Sequence, residues 1–290
     1  MTSQPSLPSD QSFSPAQPGR FRVIAPPGRW PSLELGDLWR YRELLFQLVK
    51  RDFSGMYRQT FVGAGWAIIS PVITMIVFTV VFGNMAKVPS DGIPYPLFCF
   101  SGLLPWNYFL SCLTRSSTST IGGNALITKV YIPRLILPLS KVVHGLIAFG
   151  IQFVILAGLM VWYQVPLRLP LLAIPVFVAI CALTGLAIGL WLTAICVKYR
   201  DVAQLVPFLG QMWLWASPVA YPASLASSKW QALYWINPMV GTIEGFRWAV
   251  LGNTHPNWNM MAVSLCGVAC LLVSGHYFFR KVENTFADFI

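Results

Sequence analysis

The sequence predicts an all-α polytopic membrane protein, and three observations predict it. Apolar residues make up 56% of the 290-residue chain and charged residues only 10%, a balance that leaves too little polar surface for a water-soluble domain. Six runs, at about 62–82, 97–114, 142–163, 171–197, 202–221 and 259–279, meet or nearly meet the roughly 20 residues that cross a ~30 Å hydrocarbon core. None alternates with strand period, so the runs read as transmembrane helices rather than barrel strands.

Residues 1–35 precede the apolar region and carry Pro5, Pro8, Pro15, Pro18, Pro26, Pro27 and Pro31 among Ser, Gln and Gly. Such a composition cannot bury a core, and it predicts a disordered cytoplasmic arm. It lacks the apolar stretch of a cleavable signal. Residues 36–60 turn to helical period: Leu38, Tyr41, Leu45, Leu48, Phe53 and Met56 share one side, and Arg40, Glu43, Gln47, Lys50, Ser54 and Arg58 recur on the other. This pattern predicts an amphipathic interface helix in the headgroup plane, serving either as a charged flank that sets topology or as a docking element. Residues 61–290 form the transmembrane domain.

The basic residues assign the orientation. With a cytoplasmic amino terminus, that side collects the arginines and lysines of the tail, then Lys129, Arg134 and Lys141, then Lys198 and Arg200, and finally Arg280 and Lys281. The opposite side keeps Lys87, Arg168, Lys229 and Arg247. Both termini are therefore expected in the cytoplasm, and the net charge of +10 reflects this bias and attraction to anionic lipid. Nucleic acid is not an expected partner, since the basic residues are not interleaved with aromatics on a soluble domain.

Between the second and third runs, residues 124–140 (N-A-L-I-T-K-V-Y-I-P-R-L-I-L-P-L-S) form a short basic segment marked by proline. It reads as a helix against the cytoplasmic face, on which a soluble partner could push. The six cysteines, Cys99, Cys112, Cys181, Cys196, Cys266 and Cys270, lie in or beside the runs. With no C-x-x-C pair and no histidine at ligand spacing, they read as buried apolar residues and no metal site is expected. His144 reads as structural, with a proton relay as the alternative.

Inside the spans, Thr184, Gly185, Gly189 and Thr193 make a small-residue stripe. Close packing within the subunit is the default explanation and a dimer contact the alternative. Ser111, Arg115 and Ser119 form a polar stripe on the second run, with Arg115 either reaching the headgroups or facing an aqueous cavity. Pro71, Pro207 and Pro218 interrupt the first and fifth runs and free carbonyls that need other partners. Trp106, Tyr108, Trp162, Tyr163, Trp230, Tyr234 and Trp235 read as interfacial belt residues. Trp66, Phe208, Trp213 and Trp215 lie deeper, where aromatic faces could stack on sugar rings or simply pack.

After the fifth run, 229–236 and 239–251 read as two short helices joined at Asn237-Pro238, each too short to cross. They predict a re-entrant pair at the outer leaflet. Glu244 and Arg247 stand at i, i+3, and an ion pair that holds the unit together is favoured over substrate contact.

Several linked motifs resemble one family. They are Y-R-Q-T-F-V-G at 57–63 with Trp66 and Pro71, V-F-T-V-V-F-G at 77–83, S-G-L-L-P-W at 101–106 and L-I-T-K-V-Y-I-P-R-L-I-L at 126–137. To these add V-K-Y-R-D at 197–201, S-P-V-A-Y-P at 217–222 and N-P-M-V-G-T-I-E-G-F-R-W at 237–248. Together, over residues 37–290, the chain resembles the ABC-2 type polysaccharide export permeases of the O-antigen branch, with capsule and teichoic-acid permeases as close relatives.

The resemblance implies a homodimer of six-span subunits in the bacterial inner membrane, paired with two copies of a separate ATPase and moving a lipid-linked polysaccharide. It implies that Ile127, Thr128, Lys129, Val130, Tyr131, Pro133 and Arg134 form the coupling helix, with Lys198, Tyr199, Arg200 and Asp201 as a second contact to the ATPase. It implies a polysaccharide pathway past Trp66, Phe208, Trp213 and Trp215, beside the Arg115 already noted. A gate-helix unit carrying Tyr221, Trp235, Glu244 and Arg247 would stand at the exit.

The chain has no G-x-x-x-x-G-K-[ST] loop, so it is expected to be a permease subunit without a catalytic residue or cofactor of its own, ATP and Mg being bound by the partner. A membrane glycosyltransferase would need a carboxylate or histidine base in a cavity, and an ion-coupled transporter would need acidic residues inside the spans. The runs hold no acidic residue, and Glu244 and Asp91 are the only acidic side chains outside the tail and the cytoplasmic ends. An ABC-2 exporter of small lipids or drugs remains the nearest alternative.

Overall fold

The amphipathic stretch ahead of the first apolar run folds as α1 (Arg42–Tyr57). Its Leu48, supported by Tyr41, Leu44 and Leu45, packs on Ile136 and Leu137 of a later helix, so the middle of the apolar face read from the sequence is buried there. A computed structural model describes residues 39–57, 65–122, 133–225, 231–252 and 257–283. The amino-terminal arm and the segment 127–132, central to the expected coupling helix, lie outside the described residues.

Among the described residues there is no β-strand. The first span is α2 (Trp66–Phe78), continued by a wider π-helical segment, Thr79–Met85. α3 (Tyr95–Ser117) starts on Pro96 within its first turn and is followed by one short turn of helix, α4 (Ser119–Gly122). α5 (Ile136–Trp162) and α6 (Ile174–Lys198), the latter entered through a 3-10 turn at Leu169–Ala173, are the longest apolar rods. α7 (Val202–Trp215), α8 (Gln231–Ile236), α9 (Pro238–Leu251) and α10 (Trp258–Glu283) complete the order.

Five helical stretches among the described residues are long and apolar enough to cross a membrane: Trp66–Met85, Tyr95–Ser117, Ile136–Trp162, Leu169–Lys198 and Trp258–Glu283. The fifth expected span, 202–221, is different. Its helix α7 has 14 residues, about 21 Å at the helical rise, and the chain unwinds from Ala216. The residue before a proline is biased away from helical geometry, and Ser217 precedes Pro218. α8 and α9, with 6 and 14 residues, are likewise short.

α3 is the hub, packed against α2, α5, α6, α7 and α9. It is the most enclosed of the five long helices and has the lowest hydropathy among them, because protein rather than lipid surrounds it. Trp106 and Tyr108, expected at the membrane interface, are instead buried on this helix, with Trp106 against Phe109 and Tyr108 against Phe149.

α6 approaches α3 along the small-residue stripe. A Cβ on Gly185 would lie 2.5 Å from Cys112 Cβ, and one on Gly189 2.7 Å from Ser116 Cβ. On its other side α6 meets α10, where Trp191 stacks on Phe278 at 4.3 Å. The stripe is thus filled by the subunit's own helices.

The bundle has two distinct ends. At one, which we call the basic end, α1 lies over the start of α5, and Thr193 of α6 donates to Ser116 O of α3 at 2.8 Å. At the other end the starts of α3 and α6 meet the 216–222 segment and α9.

Candidate functional site

At the end opposite the basic one, the unwound segment after α7 leaves a row of carbonyls without helical partners, and side chains from other elements satisfy them. Tyr95 Oη at the start of α3 donates to Ala220 O at 2.6 Å. Asn237 Nδ2 donates to Ala216 O at 3.1 Å and to Ser217 Oγ at 3.0 Å. Tyr221 Oη donates back to Trp215 O at 2.9 Å.

Asn237 has a second task, as its Oδ1 accepts from Met239 N at 3.0 Å and caps α9. Pro238 occupies the first helical position, where no N–H is needed. At its other end α9 is closed by Gly252 in the left-handed region, φ +65°, which a residue without Cβ adopts freely.

Arg247 on α9 is the centre of this arrangement. Its Nη1 donates to Glu244 Oε1 at 2.7 Å, and its Nη2 to Pro218 O at 2.8 Å and Val219 O at 3.3 Å. Its guanidinium lies 3.9 Å from the centre of the Phe98 ring, a cation–π contact in a desolvated setting. Room for it comes from Gly102, where a Cβ would stand 2.7 Å from Nη2. Glu244 Oε1 also accepts from Ala223 N at 3.2 Å.

The expected pairing of Glu244 with Arg247 is therefore present. With its side chain only 1% exposed, Arg247 acts here as a fastener between α9, α3 and the unwound segment. Tyr221 and Trp235 are half-buried in the same region.

α2 and α7 both expose apolar side chains. Trp66, Phe208 and Trp215 are 57%, 59% and 48% exposed, and Trp215 joins the two helices by lying 5.7 Å from Phe78 and 6.0 Å from Phe82. Trp213 differs from its three companions. It is half-buried and meets Phe109 edge-on at 5.4 Å, which makes it a packing residue of α7 against α3.

At the basic end, Pro133 and Arg134 lead half-buried into α5, while Lys198, Tyr199, Arg200 and Asp201 form an exposed turn between α6 and α7. The Lys198 ammonium lies 5.2 Å from the Tyr199 ring centre. Arg115 is half-buried near the end of α3. Asp52 of α1 accepts from Lys141 of α5 and, at 3.4 Å, from Arg51.

Burial alone would raise the Asp52 carboxyl. The hydrogen bond from Lys141 and the positive charges of Lys141 and Arg51 outweigh it and hold the group below the usual carboxylate range. A lowered native pKa contributes stability that is fully present above the unfolded value, about 3.9, and is lost as pH falls through the native one. The melting temperature of the wild type should therefore exceed that of Asp52→Asn at neutral pH, and the gap should close as pH drops below about 4. A gap that stays constant from pH 7 to pH 3 would remove the ion pair from the account.

Comparison with known proteins decides the family. The model described as ABC-2 type transporter matches residues 43–251. The chain belongs to the ABC-2 type transporter family. It is 31% identical over 258 residues to the O-antigen export system permease protein RfbA of Myxococcus xanthus, covering 88% of this chain and 98% of that one. A Klebsiella pneumoniae protein of the same name is 25% identical over 86% of this chain and 95% of its own. The polysialic acid transport protein KpsM of Escherichia coli is 24% identical over 72% and 80%.

As an ABC-2 permease, the chain is a multi-pass membrane protein of transport rather than a catalyst. The family match runs from within α1 to the last residue of α9, so both clusters of polar side chains described above lie inside it. Two members of those clusters escaped the reading of the sequence. Tyr95 carried no pattern that could reveal its partner 125 positions away. Asp52 did leave a signal: it stands at i+4 from Leu48, an acid on the apolar face of a basic helix.

Proposed function

We propose that this ABC-2 permease is the membrane subunit of an ATP-driven exporter that carries a lipid-linked polysaccharide of the O-antigen type across the bacterial inner membrane. The observation that carries this reading is the near full-length similarity to an O-antigen export permease. The exposed aromatics Trp66, Phe208 and Trp215 are consistent with it, because flat apolar faces accept the C–H faces of successive sugars without requiring one hydroxyl pattern.

In this reading two copies meet across α2 and α7, and the polymer passes between them. α7 with the unwound 216–221 segment serves as the fifth of six spans, and α8 and α9 dip into the outer leaflet as the gate unit. The asymmetry of basic residues puts both termini and the basic end in the cytoplasm. There the segment 127–134, with the 198–201 turn, receives the movement of two ATPase subunits that hold the ATP and Mg. ATP-driven closure of those subunits shifts the permease between inward-open and outward-open states, and the polymer advances by steps. The similarity to a polysialic acid transport protein favours a capsular polymer as the second reading.

Deleting the gene and following surface polymer by gel and surface labelling tests the assignment. Loss of surface polymer with lipid-linked glycan accumulating inside is the expected result. Complementation with Lys129→Glu or Arg134→Glu should insert normally yet fail to restore export. Unchanged surface polymer in the deletion strain, with altered sensitivity to small amphiphiles, would move the permease to a lipid or drug exporter.

A further inference from the structure

α6 and α10 both start at the end opposite the basic one, and they touch closely farther along, where a Cβ on Gly275 would stand 2.5 Å from Ala187 O. At their starts α9 lies between them. It presses on α6 at Gly245, where a Cβ would collide with the Phe177 ring, and on α10 at Gly241, where one would stand 2.5 Å from Ser264 Oγ. Between the two starts and α9 a hollow of about 470 Å³ is left, walled by Val176 and Ile180 of α6, Met261 and Leu265 of α10 and Trp248 of α9. We infer that this hollow seats one acyl chain of a bilayer phospholipid whose phosphate is held by Arg168. The inference does not depend on what the permease carries.

The wall suits a hydrocarbon chain and no polar ligand. Of the two hydroxyls on its floor, Thr242 donates to Pro238 O at 2.9 Å and Ser264 accepts from Gly241 N at 3.1 Å. What remains is aliphatic and aromatic surface. The hollow follows α6 from Ala173 to Ile180 and α10 from Trp258 to Leu265, about 10 Å along each helix, which is most of one leaflet's half of a ~30 Å hydrocarbon core. Its volume falls within the roughly 300–1,000 Å³ of ligand pockets. Both helices belong to membrane spans, so the neighbour at this depth is lipid. Val176, Trp258 and Leu265 are exposed, which leaves the hollow open on the side of the bilayer. An empty hollow there would forfeit dispersion contacts along its walls, and a flexible chain restores them.

Charge selects the headgroup. Arg168 stands just ahead of the 3-10 turn Leu169–Ala173 that enters α6, and its Nη1 donates to Gly252 O at 3.1 Å, a turn beyond Trp248 at the end of α9. Gly252 gives it room, since a Cβ there would stand 2.9 Å from Arg168 Cδ. The side chain is exposed. A guanidinium carries five N–H groups, so Arg168 can hold a phosphate oxygen while it keeps Gly252 O. Trp248 and Trp258 meet edge-on at 5.7 Å beside the hollow, and tryptophan is enriched at headgroup depth. A basic group beside a groove between helices at that depth is a lipid-phosphate site. A chain seated there braces α9, the helix whose Arg247 fastens the unwound segment.

The test uses the full-length chain, delipidated in detergent and titrated with phosphatidylglycerol that carries a diazirine in its acyl chain. After irradiation the labelled peptides are mapped by mass spectrometry. Label should concentrate on 173–180 and 258–265 at lipid concentrations that leave Val154 and Val273 unlabelled, although both are exposed. Arg168→Gln should weaken labelling about fivefold and Arg168→Lys should preserve it. Diacylglycerol with the same chain lacks the phosphate, and on the wild type it should bind as weakly as phosphatidylglycerol does on Arg168→Gln. Ala262→Trp, which fills the hollow from its exposed side, should lower its labelling to that of the open faces, and Val273→Trp should not. Melting temperatures without lipid show that each variant is folded, and the Arg168 pair decides if Ala262→Trp is not.

Label spread evenly over the exposed apolar faces would overturn the site and leave only annular lipid. Labelling at full strength by diacylglycerol, or on Arg168→Gln, would overturn the phosphate contact and with it the phospholipid. Displacement of the label by an equal amount of polyprenyl phosphate would overturn the phospholipid in favour of an isoprenoid chain.

Discussion

Replacing Arg247 with methionine should destabilise the ABC-2 permease by about 3–5 kcal/mol, the cost of leaving one partner of a buried pair alone. The substitution keeps apolar bulk beside Phe98, yet it strands three acceptors at once. Among the described residues Glu244 keeps only the amide of Ala223, and the carbonyls of Pro218 and Val219 lose the donor that replaced their helical partners. A polar group left unsatisfied inside the protein has no water to turn to.

Glu244→Gln should cost less, about 1–2 kcal/mol, because an amide oxygen still accepts from both Arg247 and Ala223. Arg247→Lys should fall between them, since a single ammonium cannot span Glu244 and the 218–219 carbonyls as a fork does. Thermal unfolding in detergent at matched scan rates gives the check, with about 10 °C lost for Arg247→Met. A melting temperature within about 2 °C of wild type would mean that Arg247 does not fasten the unwound segment.

The long helices were legible because length and apolarity alone identify a membrane helix, and five of the six expected runs overlap the observed spans, with ends that differ by up to six residues. The differences have causes. The third run was expected to begin at 142, but the helix begins at Ile136 and takes in Lys141, which is paired with Asp52 of α1. The fifth run was expected to continue to 221, and the apolar residues do continue, yet the helix ends at Trp215. Hydropathy cannot see a backbone that turns aside, although Ser217-Pro218 marks the place.

Within the candidate site, contacts local in sequence could be read and distant ones could not. The i, i+3 spacing was enough to pair Glu244 with Arg247. Nothing near Arg247 in the chain announces Phe98, Gly102 or the carbonyls of Pro218 and Val219, because those meetings depend on how α3, α7 and α9 pack. The same limit explains Trp106 and Tyr108. Residue type suggested an interface although both stand mid-run at 97–114, and the helices that surround α3 place them inside the protein. Trp213 and Trp215 differ because two positions apart on a helix means about 200° around it, so that one faces Phe109 of α3 and the other the open side.

Adding side chains at Gly185 and Gly189 should force α6 away from α3, the second large effect expected of this fold. In a bilayer there is no hydrophobic gain from bringing two apolar helices together, so close contact and hydrogen bonds across it supply the attraction. The Gly185 position would bring a Cβ to 2.5 Å from Cys112 Cβ and 3.2 Å from Phe109 O, and neither neighbour is the end of a flexible side chain. Gly189 repeats the clash one turn on, beside the bond from Thr193 to Ser116 O that a separation would break.

Each single change to alanine should cost about 1–3 kcal/mol, and the Gly185→Leu/Gly189→Leu double variant should lose folded yield after extraction. Gly158 on α5 and Gly267 on α10 provide the control, as a Cβ at either meets nothing within 4 Å. Alanine there should be neutral or stabilise by about 0.5–1 kcal/mol through lower backbone entropy in the unfolded chain. Melting curves of the four single alanine variants distinguish the accounts. If Gly185→Ala and Gly189→Ala melt with Gly158→Ala and Gly267→Ala, the stripe is not the seam that joins α6 to α3; a clear split, the first pair below wild type and the second at or above it, is the outcome that close packing requires.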